Sequence, residues 1–132
     1  MAGQPLFILL CSAEHEKIQM AAMLASVAAV SDRPVTLFVS MGALPVFQKG
    51  LSPDEAYKGG SFSKILRDKG APDAITLFGQ GKMLGEMTVL ACSMALDVLG
   101  WELEDLTEDL FDEPGGLTKF LNDAEDGQLV TL

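Results

Sequence analysis

The chain has 132 residues, 48% of them hydrophobic, and a net charge of −10, a composition that supports one buried core and excludes the disordered and fibrous classes. Residues 101–132 set ten acids against Lys119 alone, whereas residues 1–100 are near balance, with nine acids against eight bases. That excess repels phosphate backbones and anionic lipid surfaces, which argues against nucleic acid and membranes as partners and leaves the acidic quarter as a solubilising face or a docking surface for a basic partner.

Taken in chain order, Leu6–Leu10 is a continuous apolar run. Such a run is typical of a strand buried on both faces of a parallel sheet. No Lys or Arg precedes it and no small-residue cleavage site follows, so it is read as a strand rather than a leader. Residues 14–31 are rich in Ala, Met and Leu, closed by Asp32 and Pro34, and predict a helix. Its stretch 18–30 is apolar nearly all round yet too short for the ~20 residues of a membrane span, so a second buried contact is expected, most simply with other copies of the chain. Val35–Val39 is the second strand and completes a βαβ unit.

Residues 42–49 predict a short helix, 51–61 a mobile loop with Pro53, Gly59 and Gly60, and 61–69 an amphipathic helix. A weaker helix at 72–78 is expected to be broken by Gly79 and Gly81. The third strand spans 87–91, a helix follows at Ser93–Leu99 with Gly100 as its C-cap, another helix covers 115–126, and a fourth strand at 128–132 belongs at a sheet edge. This alternation, without internal repeat, predicts a single Rossmann-like (flavodoxin-like) α/β domain over residues 1–132, with a mostly parallel sheet and helices on both faces.

In open parallel sheets, reactive groups gather at the carboxyl ends of the strands. Cys11, Met41 and Cys92 all fall at such ends. Cys92 directly precedes a helix, whose free N–H groups and dipole favour a thiolate; the alternative is an inert core cysteine. The usual doubly wound order places the first and third strands side by side, which would make Cys11 and Cys92 neighbours. His15 and Lys17 follow Cys11 closely enough to support a thiolate or hold an anionic sulfur species, or to be ordinary surface residues. With eighty residues between them, the two cysteines need not pair. Reduced thiols and a cytoplasmic location are expected. Cys11, Cys92 and His15 are too few for a closed four-ligand metal site, so neither a metal nor a cofactor is expected.

Other chemistries are poorly served. Gly79, Gly81 and Gly85 precede a strand, where a dinucleotide fingerprint must follow one. The loop Ser12-Ala13-Glu14-His15 lacks a glycine and carries an acid, no Walker sequence occurs, and no G-x-S-x-G elbow is present.

The run Ala91-Cys92-Ser93-Met94-Ala95-Leu96-Asp97-Val98-Leu99-Gly100 resembles the DsrE/DsrF-like (DsrE/F/H) family of sulfur-relay proteins, whose members often read Ala-Cys, small or apolar residues, Asp and Gly. The opening strand, the Lys17-containing helix, Pro34 with Val35-Thr36-Leu37-Phe38, and Leu103-Glu104-Asp105-Leu106 are similar to that family's succession of elements. Ala95 and Leu96 depart from it, standing where related chains often have Ser and Met. The resemblance implies a Rossmann-like subunit in homo- or hetero-oligomers, a trimer or tetramer being the expected size. It also implies Cys92 as the carrier of sulfane sulfur in a persulfide, with Cys11, His15, Lys17, Ser93 and Asp97 in supporting positions, and donor and acceptor proteins as partners. Such a protein is a sulfurtransferase acting as a carrier rather than a multiple-turnover enzyme. The competing readings are a small-ligand or nucleotide-binding oligomeric module with an incidental cysteine, and an interaction protein working through its acidic quarter.

Overall fold

A computed structural model of the chain describes residues 3–132. The elements in order are β1 (Leu6–Leu10), α1 (His15–Val30), β2 (Val35–Val39), α2 (Pro53–Ala56), α3 (Ser61–Asp68), α4 (Ala74–Leu84), β3 (Met87–Cys92), α5 (Ser93–Leu99), β4 (Glu113–Gly115), α6 (Leu117–Asp123) and β5 (Gln128–Thr131). All five strands are parallel, in the order β4-β3-β2-β1-β5. The fold is therefore Rossmann-like α/β.

The strand order corrects one expectation. The chain winds outward from β1 through β2, β3 and β4, and only β5 returns to the other side of β1. β2 thus lies between β1 and β3.

Register explains how the two sheet faces divide. Leu6, Val35 and Met87 share one row, as do Phe7, Thr36 and Thr88. Because successive side chains alternate, Leu6, Ile8 and Leu10 join Leu37, Val39, Val89 and Ala91 on one face, all buried. α1 and α4 cover that face. The inward side of α1 is mostly alanine (Ala21, Ala22, Ala25, Ala28, Ala29), which lets both the sheet and α4 come close. The helix α4 runs straight through Gly79 and Gly81, contrary to the expected break. A β-carbon on Gly81 would stand 3.0 Å from Ser26 Cα, so this glycine permits close helix packing.

On the opposite face, Phe120 of α6 packs on Phe7 and Phe38 with ring centroids 5.8 and 5.1 Å away. The expected helix over 115–126 is in fact β4, then α6, then a 3-10 turn at Ala124–Asp126. Three residues containing a proline leave little strand pattern, and Asp112 supplies part of the pairing through a side chain: Oδ2 accepts from Val89 N at 2.7 Å. In place of the helix expected at 42–49 there is a 3-10 helix at Met41–Phe47, around Pro45. Pro45 has no N–H to give an α-helical ladder.

The segment expected to be a mobile loop is held in place. Ser52 and Glu55 form a capping box on α2, and Lys58 O accepts from His15 N at 2.6 Å. Among the described residues, no helix is long and apolar enough to cross a membrane.

Candidate functional site

Each of β1, β2 and β3 presents one residue at its carboxyl end on the α6 side. Leu10, Val39 and Ala91 form the last shared row, and the sheet continues one step further, with Ser40 N donating to Leu10 O at 2.9 Å and Cys11 N to Leu132 O at 2.7 Å. Cys11, Ser40 and Cys92 therefore stand side by side, Ser40 in the middle. Below them Leu9 and Phe38 form the floor of an open crevice of about 380 Å³. Met41 and Met94, both about half exposed, stand at its rim, and Ser93, Gly115, Gly116 and Leu117 close the side toward β4 and α6. None of these lining residues is charged.

Cys92 is both the last residue of β3 and the N-cap of α5, with an extended backbone (φ −57°, ψ 120°) and little solvent access. The free N–H groups of the first turn of α5 lie just beyond it. Ser93 Oγ donates to Gly115 O at 3.1 Å, tying α5 to β4. Gly115 is needed there, since a β-carbon would meet Leu90 Cβ at 3.1 Å. Both cysteines are free thiols. Burial pushes the Cys11 thiol up, and the charge of Cys92 pushes it further in the same direction. The two sulfurs thus feel one another across Ser40.

The other expected supporting residues lie elsewhere. Lys17 and Asp97 are exposed and line no part of the crevice. His15 is 3% exposed and belongs to a separate cavity of about 200 Å³ with Tyr57, Arg67 and Asp73. Its Nδ1 lies 2.6 Å from Ser63 Oγ, and its ring stacks on Tyr57 at 4.2 Å and 8°. Tyr57 OH donates to Asp73 Oδ1 at 2.6 Å, while Asp73 Oδ2 accepts from Thr76 N at 3.0 Å and caps α4. Burial holds the Tyr57 hydroxyl well above the ordinary phenol range. His15 is thus a clamp joining α1 to α3 and α4, because the helix turns its side chain away from the strand end that precedes it. Ser40 and Met94 were missed from sequence. Met94's place in the first turn after Cys92 was the available signal.

No family model and no curated protein matches the chain. Among solved structures, the chain is similar to a protein of unknown function, MTH1491, from Methanobacterium thermoautotrophicum, with a TM-score of 0.63 and 12% identity over 98% of this chain and 100% of that one. At that identity the likeness bears on the fold alone.

Proposed function

We propose that the protein is a sulfur carrier that holds sulfane sulfur as a persulfide on Cys92 and passes it to a partner thiol. The observation that carries this reading is the position of Cys92 at a helix N-cap, opening into an apolar crevice that it shares with a second thiol. In the loading step, the Cys92 thiolate attacks the outer sulfur of a donor persulfide. The donor S–S bond breaks, the donor leaves as a thiolate, and the new S–S bond is on Cys92. Delivery repeats the exchange with an acceptor thiolate, so no external oxidant is needed. A polarisable sulfur atom suits the hydrocarbon lining, and Cys11 stands in the same crevice as a second thiol. The resemblance of residues 91–100 to DsrE/DsrF-like proteins supports the same assignment.

The volume of the crevice also favours a second reading, a binding site for a small apolar ligand, since about 380 Å³ falls within the usual range for such sites. Intact-mass spectrometry separates the two. After exposure to polysulfide the protein should gain one sulfur, and a subsequent acceptor thiol should remove it; a Cys92→Ala variant should gain none. No adduct with several donors would leave the ligand-binding reading ahead.

A further inference from the structure

The two edges of the sheet are not alike. β4 is three residues long and carries Glu113 and Pro114, a charge and a missing N–H of the kind that keeps an edge from pairing. β5 has neither a charge nor a proline. Its inner side is taken by β1: Gln128 N donates to Pro5 O at 2.9 Å, Leu132 N to Leu9 O at 2.8 Å, and Cys11 N to Leu132 O at 2.7 Å. Alternate residues of a parallel strand bond to the same neighbour. The N–H and C=O groups of Leu129 and Thr131 therefore point outward, where no further strand lies among the described residues.

Both faces beside that edge are open. On one, α1 packs over β1 and β2 and leaves next to β5 a hollow of about 530 Å³, floored by Leu6 and Val130 and walled by Met20, Met23 and Val27. On the other, Leu129 and Leu121 of α6 are each about half exposed.

We propose that the β5 edge pairs with the β5 edge of a second copy of the chain, antiparallel about a two-fold axis beside Val130, so that two five-stranded sheets become one. Leu129 of each copy then lies opposite Thr131 of the other and exchanges both backbone hydrogen bonds with it. Every outward N–H and C=O of the two residues is used in this register, and a slip of two residues either way leaves some unmet. The two Val130 side chains meet at the axis as a pair without hydrogen bonds, their Cα atoms about 4.5 Å apart. The α1 strips of the two copies face one another above them.

Symmetry, charge and area all select a second copy as the occupant. β5 set against itself supplies a donor for every acceptor, as a two-fold interface requires. Two chains of charge −10 repel in most approaches, but no acid lines this hollow, whose one charged residue is Arg33. With 16 residues, α1 is about 24 Å long, and three layers of about 10 Å give this end of the molecule a face of about 700 Å², close to the ~800 Å² per partner of stable complexes. β5 lines no part of the sulfur crevice, so the pairing stands or falls independently of sulfur carriage.

The test is cross-linking at the axis. Val130→Cys places two thiols within the Cα range of about 4.4–6.8 Å that a disulfide allows. Oxidation with diamide at micromolar protein should give a covalent dimer, and peptide mass spectrometry should place the bond between position 130 of both copies. In Leu129→Cys the two thiols stand on a diagonal about 7–8 Å apart, so linking should be at least about 10-fold slower. Leu129→Lys puts a charge on the edge, and Thr131→Pro removes an outward N–H while sparing the bonds to β1. Both should keep the circular dichroism of the unaltered protein, and light scattering should show the mass falling from twice 14.1 kDa to 14.1 kDa. An unaltered protein that is a monomer or a trimer, a mass unchanged in both edge variants, or linking at position 130 no faster than at position 129 would overturn the proposal.

Discussion

The Cys11 proton is retained for two reasons, burial and the charge of Cys92, and a substitution at Cys92 removes only the second. In Cys92→Ser, the pH midpoint for alkylation of Cys11 should therefore move down while staying above that of an exposed thiol. An unchanged midpoint would mean that the two thiols do not interact. In the unaltered protein Cys92 should label first. His15 yields a prediction of a different kind. Burial, and then Arg67, hold its pKa below 6.5, against weaker upward pulls from Gln19, Asp73 and Glu16. As pH falls below about 6.5, the unfolded chain takes up a proton that the folded His15 refuses until lower pH, so stability drops through that window. Urea midpoints at pH 7 and 5.5 should differ in that direction, and His15→Gln should shrink the difference. The position of the two cysteines at the carboxyl end of the sheet was legible because each closes an apolar run. The role of His15 was not, because its partner Ser63 lies 48 residues away on another helix.

Apolar runs and cap residues announce most elements here, and the failures have specific causes. α1, α5, β1, β2 and β5 lie within a residue or so of their expected bounds, and Gly100 does adopt the left-handed conformation expected of a C-cap (φ 70°). Gly81 misled because a glycine needed for close packing and one that breaks a helix are identical in sequence. β4 escaped notice because the alternation of three residues carries no period, and part of its pairing is done by the Asp112 carboxylate. The helix that follows, α6, rests on one large contact. Phe120 is the α6 residue fully buried against the sheet, packed on Phe7 and Phe38. Phe120→Ala should cost about 3–5 kcal/mol by urea unfolding. It should also loosen the crevice wall at Leu117, so that Cys92 alkylates faster. A loss under about 1 kcal/mol would mean that α6 is held by something other than this ring.

Seen whole, α/β winding follows from the alternation of strand and helix patterns, but strand order does not. All-parallel β4-β3-β2-β1-β5 and an order with the first and third strands adjacent are built from the same local patterns; only long-range packing separates them. The crevice survives the difference because cysteines two strands apart still open onto one face. The outward side of α1 carries Met20, Met23, Val27 and Val30, all exposed, beside a broad hollow with Leu6 and Val130. A strip of that kind is unusual on a monomer, and we expect it to join copies of the chain. Light scattering should give a mass above 14.1 kDa at micromolar concentration, and Val27→Glu should lower it; a monomer in both would leave the strip without a partner. The central claim, that Cys92 carries the sulfur, is tested most directly by locating the sulfur within the chain. Peptide mass spectrometry after treatment with a persulfide donor should find one added sulfur on the peptide containing Cys92, in the unaltered protein and in Cys11→Ser alike. Added sulfur confined to the Cys11 peptide, or on neither, would contradict the account.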